Sequence, residues 1–169
     1  MVLHQPDLGP SQVTLTGVSF GHRQVAEADH WILALDPAPS LACTHLVQTP
    51  FPHVAISVTS SRSYETADDL QEGADAAATG KFGRAVIFPG SADLTGRLTV
   101  AELLERTAID RVEVLGSGVA DDDAVVDTRD FVRPQYRGGD LVLVTMPAAG
   151  GVLVPFETRD PTPCCADHK

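Results

Sequence analysis

The amino-acid sequence predicts an α+β fold, with mostly antiparallel β sheets around a groove, two or three short helices and a C-terminal β-meander. Short alternating or apolar runs, separated by glycine and proline turns, indicate short strands. The helix-start motif Thr99-Val-Ala-Glu102 precedes an apolar stripe of helical spacing. Near the C-terminus, the turn sequences Arg-Gly-Gly-Asp and Pro-Ala-Ala-Gly-Gly separate three apolar runs, which is typical of a meander.

The first third of the chain is predicted to form strands before a helix. Residues 12–21 alternate, and residues 31–35 form a continuously apolar run that we interpret as a second strand. The composition of residues 64–78 favours a helix, with its N-terminal cap within Thr66-Ala-Asp-Asp69 and its end at Gly80.

The strand predicted over residues 49–60 carries the chemistry of interest. It alternates between an aliphatic face and a face with an imidazole and hydroxyls, which predicts a half-buried strand. The polar face consists of His53, Ala55, Ser57 and Thr59.

In the remainder, residues 84–88 and 94–98 are predicted strands joined by Pro89-Gly90, and a helix is predicted from residue 99 to about residue 110. The apolar runs that follow are predicted strands, over residues 111–115, 131–136, 141–146 and 152–156. The predicted organisation is a domain over residues 1–98, a helix-and-meander module over residues 99–157, and a flexible tail over residues 158–169.

Composition limits the classes of function. The 169 residues carry a formal net charge of -11, which disfavours non-specific DNA binding because the phosphate backbone would be repelled. No apolar run is long enough for a transmembrane span and no signal peptide is visible, so we expect a cytoplasmic protein without membrane partners. Three cysteines do not form a disulfide framework.

Two stretches resemble a known family. The motif Pro52-His53-Val-Ala-Ile-Ser-Val, followed by Ser63-Tyr-Glu-Thr-Ala-Asp-Asp-Leu70, is similar to the second histidine segment of two-histidine phosphoesterases, in the branch linked to RNA ligase and RNA repair. The segments Val13-Thr-Leu-Thr-Gly17 and Leu94-Thr-Gly-Arg-Leu98 resemble the flanking strands, so the resemblance covers residues 12–98 approximately.

This resemblance implies a cyclic phosphodiesterase-like domain that binds, and in its active form hydrolyses, a small cyclic phosphate or an RNA-end phosphate. One imidazole acts as general acid and another as general base, and no cofactor is required. On that reading His53 is the catalytic residue and Ser57 the phosphate-binding residue. Histidine suits both roles because its pKa of about 6.5 lies near neutral pH.

The sequence departs from the family pattern at two places, which leaves enzymatic activity open. Ala55 stands where the family has a hydroxyl, and no His-x-Thr or His-x-Ser occurs in the first fifty residues. Either the first motif lies upstream of Met1, or the chain keeps the fold without the chemistry. In the second case we expect a non-catalytic binding protein with a protein partner. His4 or His45 could supply the second imidazole only if the fold brings it to His53, and otherwise both are interpreted as surface histidines.

The tail suggests a third class of function. Cys164, Cys165 and His168 form a soft ligand set that suits Zn²⁺, although adjacent cysteines depart from the usual zinc spacing. The third hypothesis is therefore a small metal-binding protein that uses this tail.

Overall fold

The computed structural model describes residues 12–79 and 83–159. Within these ranges the chain forms one mostly antiparallel sheet of eleven strands and three α-helices, which confirms the predicted α+β fold. The strands are β1 (Thr14–His22), β2 (Leu41–Val47), β3 (His53–Ser60), β4 (Arg84–Ile87), β5 (Arg97–Thr99), β6 (Arg111–Val114), β7 (Gly118–Val119), β8 (Val125–Asp127), β9 (Gln135–Arg137), β10 (Asp140–Pro147) and β11 (Leu153–Pro155). The helices are α1 (Val25–Leu33), α2 (Gln71–Ala77) and α3 (Val100–Arg106).

The first half of the sheet has the strand order β1-β3-β2-β4 and is covered on both faces. Ala28 and Ile32 of α1 join an aliphatic cluster that includes Ile56 of β3. On the opposite face, α2 approaches β1 so closely that a Cβ atom at Gly17 would overlap the carbonyl oxygen of Ala74. Glycine at position 17 therefore permits α2 to lie directly on the sheet.

The second half of the sheet is built around β10. Strand β6 pairs with it in parallel, while β9 and β11 pair antiparallel with its first and last residues, respectively. These three successive strands, β9, β10 and β11, confirm the predicted meander. A second apolar cluster, which includes Leu103, Leu141 and Leu143, packs beneath them.

The two halves meet where β4 pairs with β9. Their register has a single residue pair, Arg84 with Gln135, and backbone hydrogen bonds from Ala85 to Pro134 and from Tyr136 to Gly83 flank it. Residues 97–99 pair with β8 in the second half, which places β5 across the predicted boundary at residue 98. The three-part division of the chain stays a prediction.

The strand predicted over residues 31–35 is wrong, because these residues lie at the end of α1 and just beyond it. The helix buries Ala28 and Ile32, which have helical spacing, and its first turn is fixed by Glu27. The Glu27 carboxylate accepts hydrogen bonds from the backbone N–H groups of Arg23 and Gln24.

Two further details of the first half differ from the sequence prediction. Strand β3 is buried on both faces from His53 to Val58, because α2 covers the face that was expected to meet solvent. Helix α2 begins later than predicted, at Gln71, after a single 3-10 turn. Thr66 does not cap it, since the Thr66 hydroxyl accepts the backbone N–H of Ser19 instead. The predicted end at Gly80 lies outside the described residues.

The second half follows the sequence prediction more closely. Helix α3 begins with the predicted capping box, in which Thr99 and Glu102 exchange side-chain-to-backbone hydrogen bonds, and it ends at Arg106. The short strands β7 and β8 lie between the strands predicted over residues 111–115 and 131–136, in a stretch for which no strand was predicted. No helix within the described ranges is long and apolar enough to cross a membrane.

Candidate functional site

Strands β2 and β3 gather polar side chains on the face that α2 covers. Their antiparallel register sets Cys43 opposite Ser57 and His45 opposite Ala55. His53 lies on the same face as Ala55, so the two histidines are diagonal neighbours, with Cα atoms about 7–8 Å apart. The structure therefore brings a second imidazole next to His53, from a segment that was not predicted to be a strand.

The three side chains Cys43, Ser57 and His45 form a buried hydrogen-bonded series. Nε2 of His45 lies 2.8 Å from Oγ of Ser57, within hydrogen-bonding distance, and Ser57 also contacts the thiol of Cys43. Burial raises the pKa of the Cys43 thiol to about 12, although the hydrogen bond from Ser57 opposes this shift. Cys43 is therefore a neutral thiol near pH 7, and a nucleophilic role is unfavourable for it.

His45 is the member of this series that reaches an opening. It lines a groove of about 440 Å³, here called the β2 groove, between β2, the end of α2 and β9. The polar residues along this groove are Thr44, His45, Thr79, Arg84, Gln135 and Tyr136. His45 is 8% exposed and Ser57 only 2%. Ser57 can therefore influence a ligand in the groove only through its contact with the His45 imidazole.

His53, the sequence-predicted catalytic residue, is placed differently. Its Nδ1 lies 2.7 Å from the carbonyl oxygen of Phe51, and it is not among the residues that line the β2 groove. A Cβ atom at Gly73 would lie 2.8 Å from Nε2 of His53, so α2 lies directly on this ring. Among the residues that the structure describes, Nε2 of His53 has no hydrogen-bond partner. Its catalytic role stays a prediction from the sequence.

The charge on the β2 groove is governed by Arg84. Its guanidinium donates to both carboxylate oxygens of Asp29, at 2.7 and 2.9 Å, and to Glu157 through Nε and Nη2. Nη1 also donates to the Thr44 hydroxyl at 3.3 Å. The Asp29 and Glu157 carboxylates raise the pKa of Arg84 against the opposing effect of burial. Because two carboxylates surround it, Arg84 gives the groove little net positive charge.

Tyr136 adds a neutral donor to the same groove. Burial raises the pKa of its phenol, with smaller contributions from Cys43 and Asp110, so the hydroxyl keeps its proton near neutral pH. The amide of Gln135 adds further donors without charge, whereas the hydroxyl protons of Thr44 and Thr79 are donated to the backbone carbonyls of Arg84 and Ala76. The groove is therefore suited to a small polar ligand that is recognised by hydrogen bonds.

The predicted metal ligands Cys164, Cys165 and His168 lie outside the described residues. Within residues 12–79 and 83–159, no group of three or more histidine, cysteine, aspartate or glutamate side chains is placed to hold a metal ion.

No family model, curated protein or solved structure matches this chain.

Sequence reasoning named His45 only as a conditional second imidazole and favoured a surface position for it. The structure buries this residue in β2, so that expectation is wrong. A usable signal was present, since Leu41-Ala-Cys-Thr-His-Leu-Val47 is a mostly apolar run of seven residues with prolines on either side. No comparable signal pointed to Arg84, because its importance depends on carboxylates distant in the sequence.

Proposed function

We propose that the chain binds a small phosphate ester, a cyclic phosphate or an RNA-end phosphate, in the β2 groove, and that His45 is the acid–base group. The observation that carries this proposal is one imidazole that lines a groove beside uncharged donors and contacts Ser57. Histidine suits proton transfer to or from a phosphate ester, because its unperturbed pKa of about 6.5 lies near neutral pH.

We assign the acid–base role to His45 instead of His53. The His53 imidazole is hydrogen-bonded to the carbonyl of Phe51 and lies beneath Gly73, whereas His45 lines the groove. Ser57 becomes a positioning residue, because its hydroxyl holds the ring of His45 and is itself buried. This arrangement places one imidazole in the groove, in contrast to the two that the family scheme uses.

The electrostatics of the groove predict how binding depends on salt. Since Arg84 is neutralised by Asp29 and Glu157, an anion would be held mainly by hydrogen bonds from Gln135 and Tyr136. Such contacts are screened less by salt than a net positive surface would be. Because the chain has a net charge of -11, added salt should also screen repulsion of the anion, so we expect the affinity for a cyclic nucleotide not to fall between low and moderate ionic strength.

The test is binding and hydrolysis of a 2′,3′-cyclic nucleotide by the full chain, with the imidazole resonances of His45 followed by NMR. Saturable shifts of His45 support binding, and hydrolysis should fall by about 10²–10⁴-fold in His45→Ala, the usual scale for loss of an acid–base group. His30→Ala, on the exposed side of α1, is the matched control and should retain activity.

The remaining outcomes separate the alternatives. Saturable binding without hydrolysis would support the non-catalytic binding protein on the same fold. An equal loss of hydrolysis in a folded His53→Ala variant would return the acid–base role to His53. The proposal is wrong if cyclic nucleotide causes no saturable shift at His45.

A further inference from the structure

One end of the outer edge of β1 is covered by side chains. Within the described residues, β1 is a terminal strand of the sheet and pairs with β3 alone. The backbone N–H of Ser19 donates to the hydroxyl of Thr66 at 3.0 Å, on the side away from β3. The Ser19 hydroxyl in turn accepts the backbone N–H of Gly21. These contacts satisfy the edge near the end of the strand.

The other end of this edge is exposed, over residues 13–17, and is here called the open edge. Successive residues of a strand direct their backbone N–H and C=O groups to opposite edges, so those of Val13, Leu15 and Gly17 point the same way as those of Ser19. Among the described residues, no strand lies on that side of β1. The side chains of Val13 and Leu15 are 58% and 43% exposed.

The open edge also lacks the features that usually protect a strand from pairing. Soluble proteins protect exposed edges with lysine, proline, a bulge or a covering loop. Residues 12–21 contain no charged residue and no proline. The register shift of β1 lies between Val18 and His22, beyond the open edge. Such an edge is suited to strand addition, in which an extended segment of another chain pairs through its backbone.

The chain beside the open edge is strongly acidic. Residues 63–79 run from the edge, where Thr66 contacts Ser19, onto the face of β1, where the carbonyl of Ala74 lies against Gly17. This segment contains five acidic residues and neither lysine nor arginine. The five carboxylates are exposed, and none forms an ion pair with a described residue. They belong to Glu65, Asp68, Asp69, Glu72 and Asp75.

This charge decides which kind of strand fits. A segment that carries lysine or arginine would be attracted by the unpaired carboxylates. A second copy of the chain would bring its own net charge of -11 and would be repelled. The charge complementarity therefore favours a basic partner over self-association.

The two faces of the open edge favour different side chains in the added strand. Val13 and Leu15 lie on the face that α2 covers, as Gly17 does, because side chains alternate along a strand. The aliphatic stems of lysine can pack on these two residues while the ammonium groups reach the neighbouring carboxylates. On the opposite face, Thr14 and Thr16 are suited to β-branched neighbours, which form favourable cross-strand pairs with threonine.

We propose that the open edge binds an extended segment of a partner protein, in which lysine or arginine alternates with β-branched residues. The segment adds a strand to the sheet beside β1. This interaction does not rest on the phosphate site at His45, since none of residues 13–17 lines the β2 groove.

The test uses the full chain, labelled with ¹⁵N, and a short capped peptide of alternating valine and lysine as the probe. Saturable shifts are expected at the amides of Val13, Leu15 and Gly17, together with slower hydrogen exchange of these amides. The same peptide N-methylated throughout keeps its charge but cannot donate backbone hydrogen bonds, and should bind about tenfold more weakly or worse. A peptide with glutamate in place of lysine should cause no saturable shift over the same concentrations.

Variants of the chain separate strand addition from general attraction to negative charge. Leu15→Pro removes an N–H that points away from β3, so the pairing of β1 with β3 is retained while peptide binding should fall by about tenfold or more. The double variant Glu65→Gln/Asp75→Asn should weaken binding by about threefold or more, the scale of two exposed ion pairs. Its matched control is Asp121→Asn/Asp122→Asn, which changes the net charge equally at a distant turn and should leave binding nearly unchanged.

Four results would overturn the proposal: no saturable shift at the open edge, equal affinity for the N-methylated peptide, undiminished binding in a folded Leu15→Pro variant, or equal weakening by the two double variants. Shifts of the same amides with protein concentration in the absence of peptide would also overturn it, because they would assign the edge to a second copy. If Leu15→Pro does not fold, the N-methylated peptide and the double variants still decide the outcome. Each of these results is independent of phosphate binding at His45.

Discussion

Asp29 is the residue whose loss should most weaken the junction between the two halves of the sheet. It lies in α1 and accepts hydrogen bonds from Arg84 at 2.7 and 2.9 Å and from Arg133 at 3.2 Å. All three side chains are about nine-tenths buried. Asp29→Ala would leave Arg84 with Glu157 alone and Arg133 with no carboxylate ion-pair partner among the described residues.

The expected magnitude follows from this burial. Removing one partner of a buried ion pair costs about 3–5 kcal/mol, because the remaining charge is left uncompensated in a poorly solvated site. Each kcal/mol lowers the melting temperature of a chain of this size by about 2–4 °C, so the total shift should be about 6–20 °C. Urea denaturation should show a lower midpoint with an unchanged slope.

The matched control for Asp29→Ala is Asp122→Ala, since Asp122 is exposed in a turn and should change stability by less than about 0.5 kcal/mol. Glu157→Ala should fall between the two, because Glu157 is partly exposed. A loss below about 1 kcal/mol in Asp29→Ala would refute the reasoning, since the cluster would then be as well solvated as a surface ion pair.

Three other substitutions test the packing, the buried thiol and the helix cap. Gly73→Ala should destabilise the chain by about 1–3 kcal/mol through overlap with His53, and should become neutral or stabilising in a His53→Ala background, as measured by a double-mutant cycle in urea. Because burial raises the pKa of Cys43 from 9.0 to about 12, the unfolded chain loses the thiol proton first. Stability should therefore fall by up to about 4 kcal/mol from pH 9 to 12, and this part of the slope should vanish in Cys43→Ala. Thr99→Ala should cost about 1 kcal/mol through loss of the α3 cap, whereas the exposed Thr95→Ala should cost little in thermal melts.

Local sequence signals were sufficient where an element depends on its own residues. The capping box at Thr99 fixed the start of α3, and glycine-rich turns fixed the meander from β9 to β11. Both depend on hydrogen bonds and dihedral preferences within a few residues. The run at residues 31–35 was misread because a short apolar run fits a strand and the end of a buried helix equally well.

The candidate site was predicted only in part, because its members come from separate segments. Alternation in β3 correctly set His53 and Ser57 on one face. It gave no information on what would cover that face, and α2 buries it through the close approach at Gly73. His45 entered the site through the pairing of β2 with β3, which depends on sheet register rather than on local composition.

By itself, the sequence determined the α+β class, the helix start at Thr99, the meander and the excess of negative charge, since each is a property of neighbouring residues or of composition. Only the tertiary structure decided that His45 lines a groove while His53 lies beneath α2, and that Arg84 joins Asp29 to Glu157. Burial and ion pairing depend on which distant segments pack together. A pattern of neighbouring residues does not specify this packing, because its free energy depends on the whole sheet and on both of its covering helices.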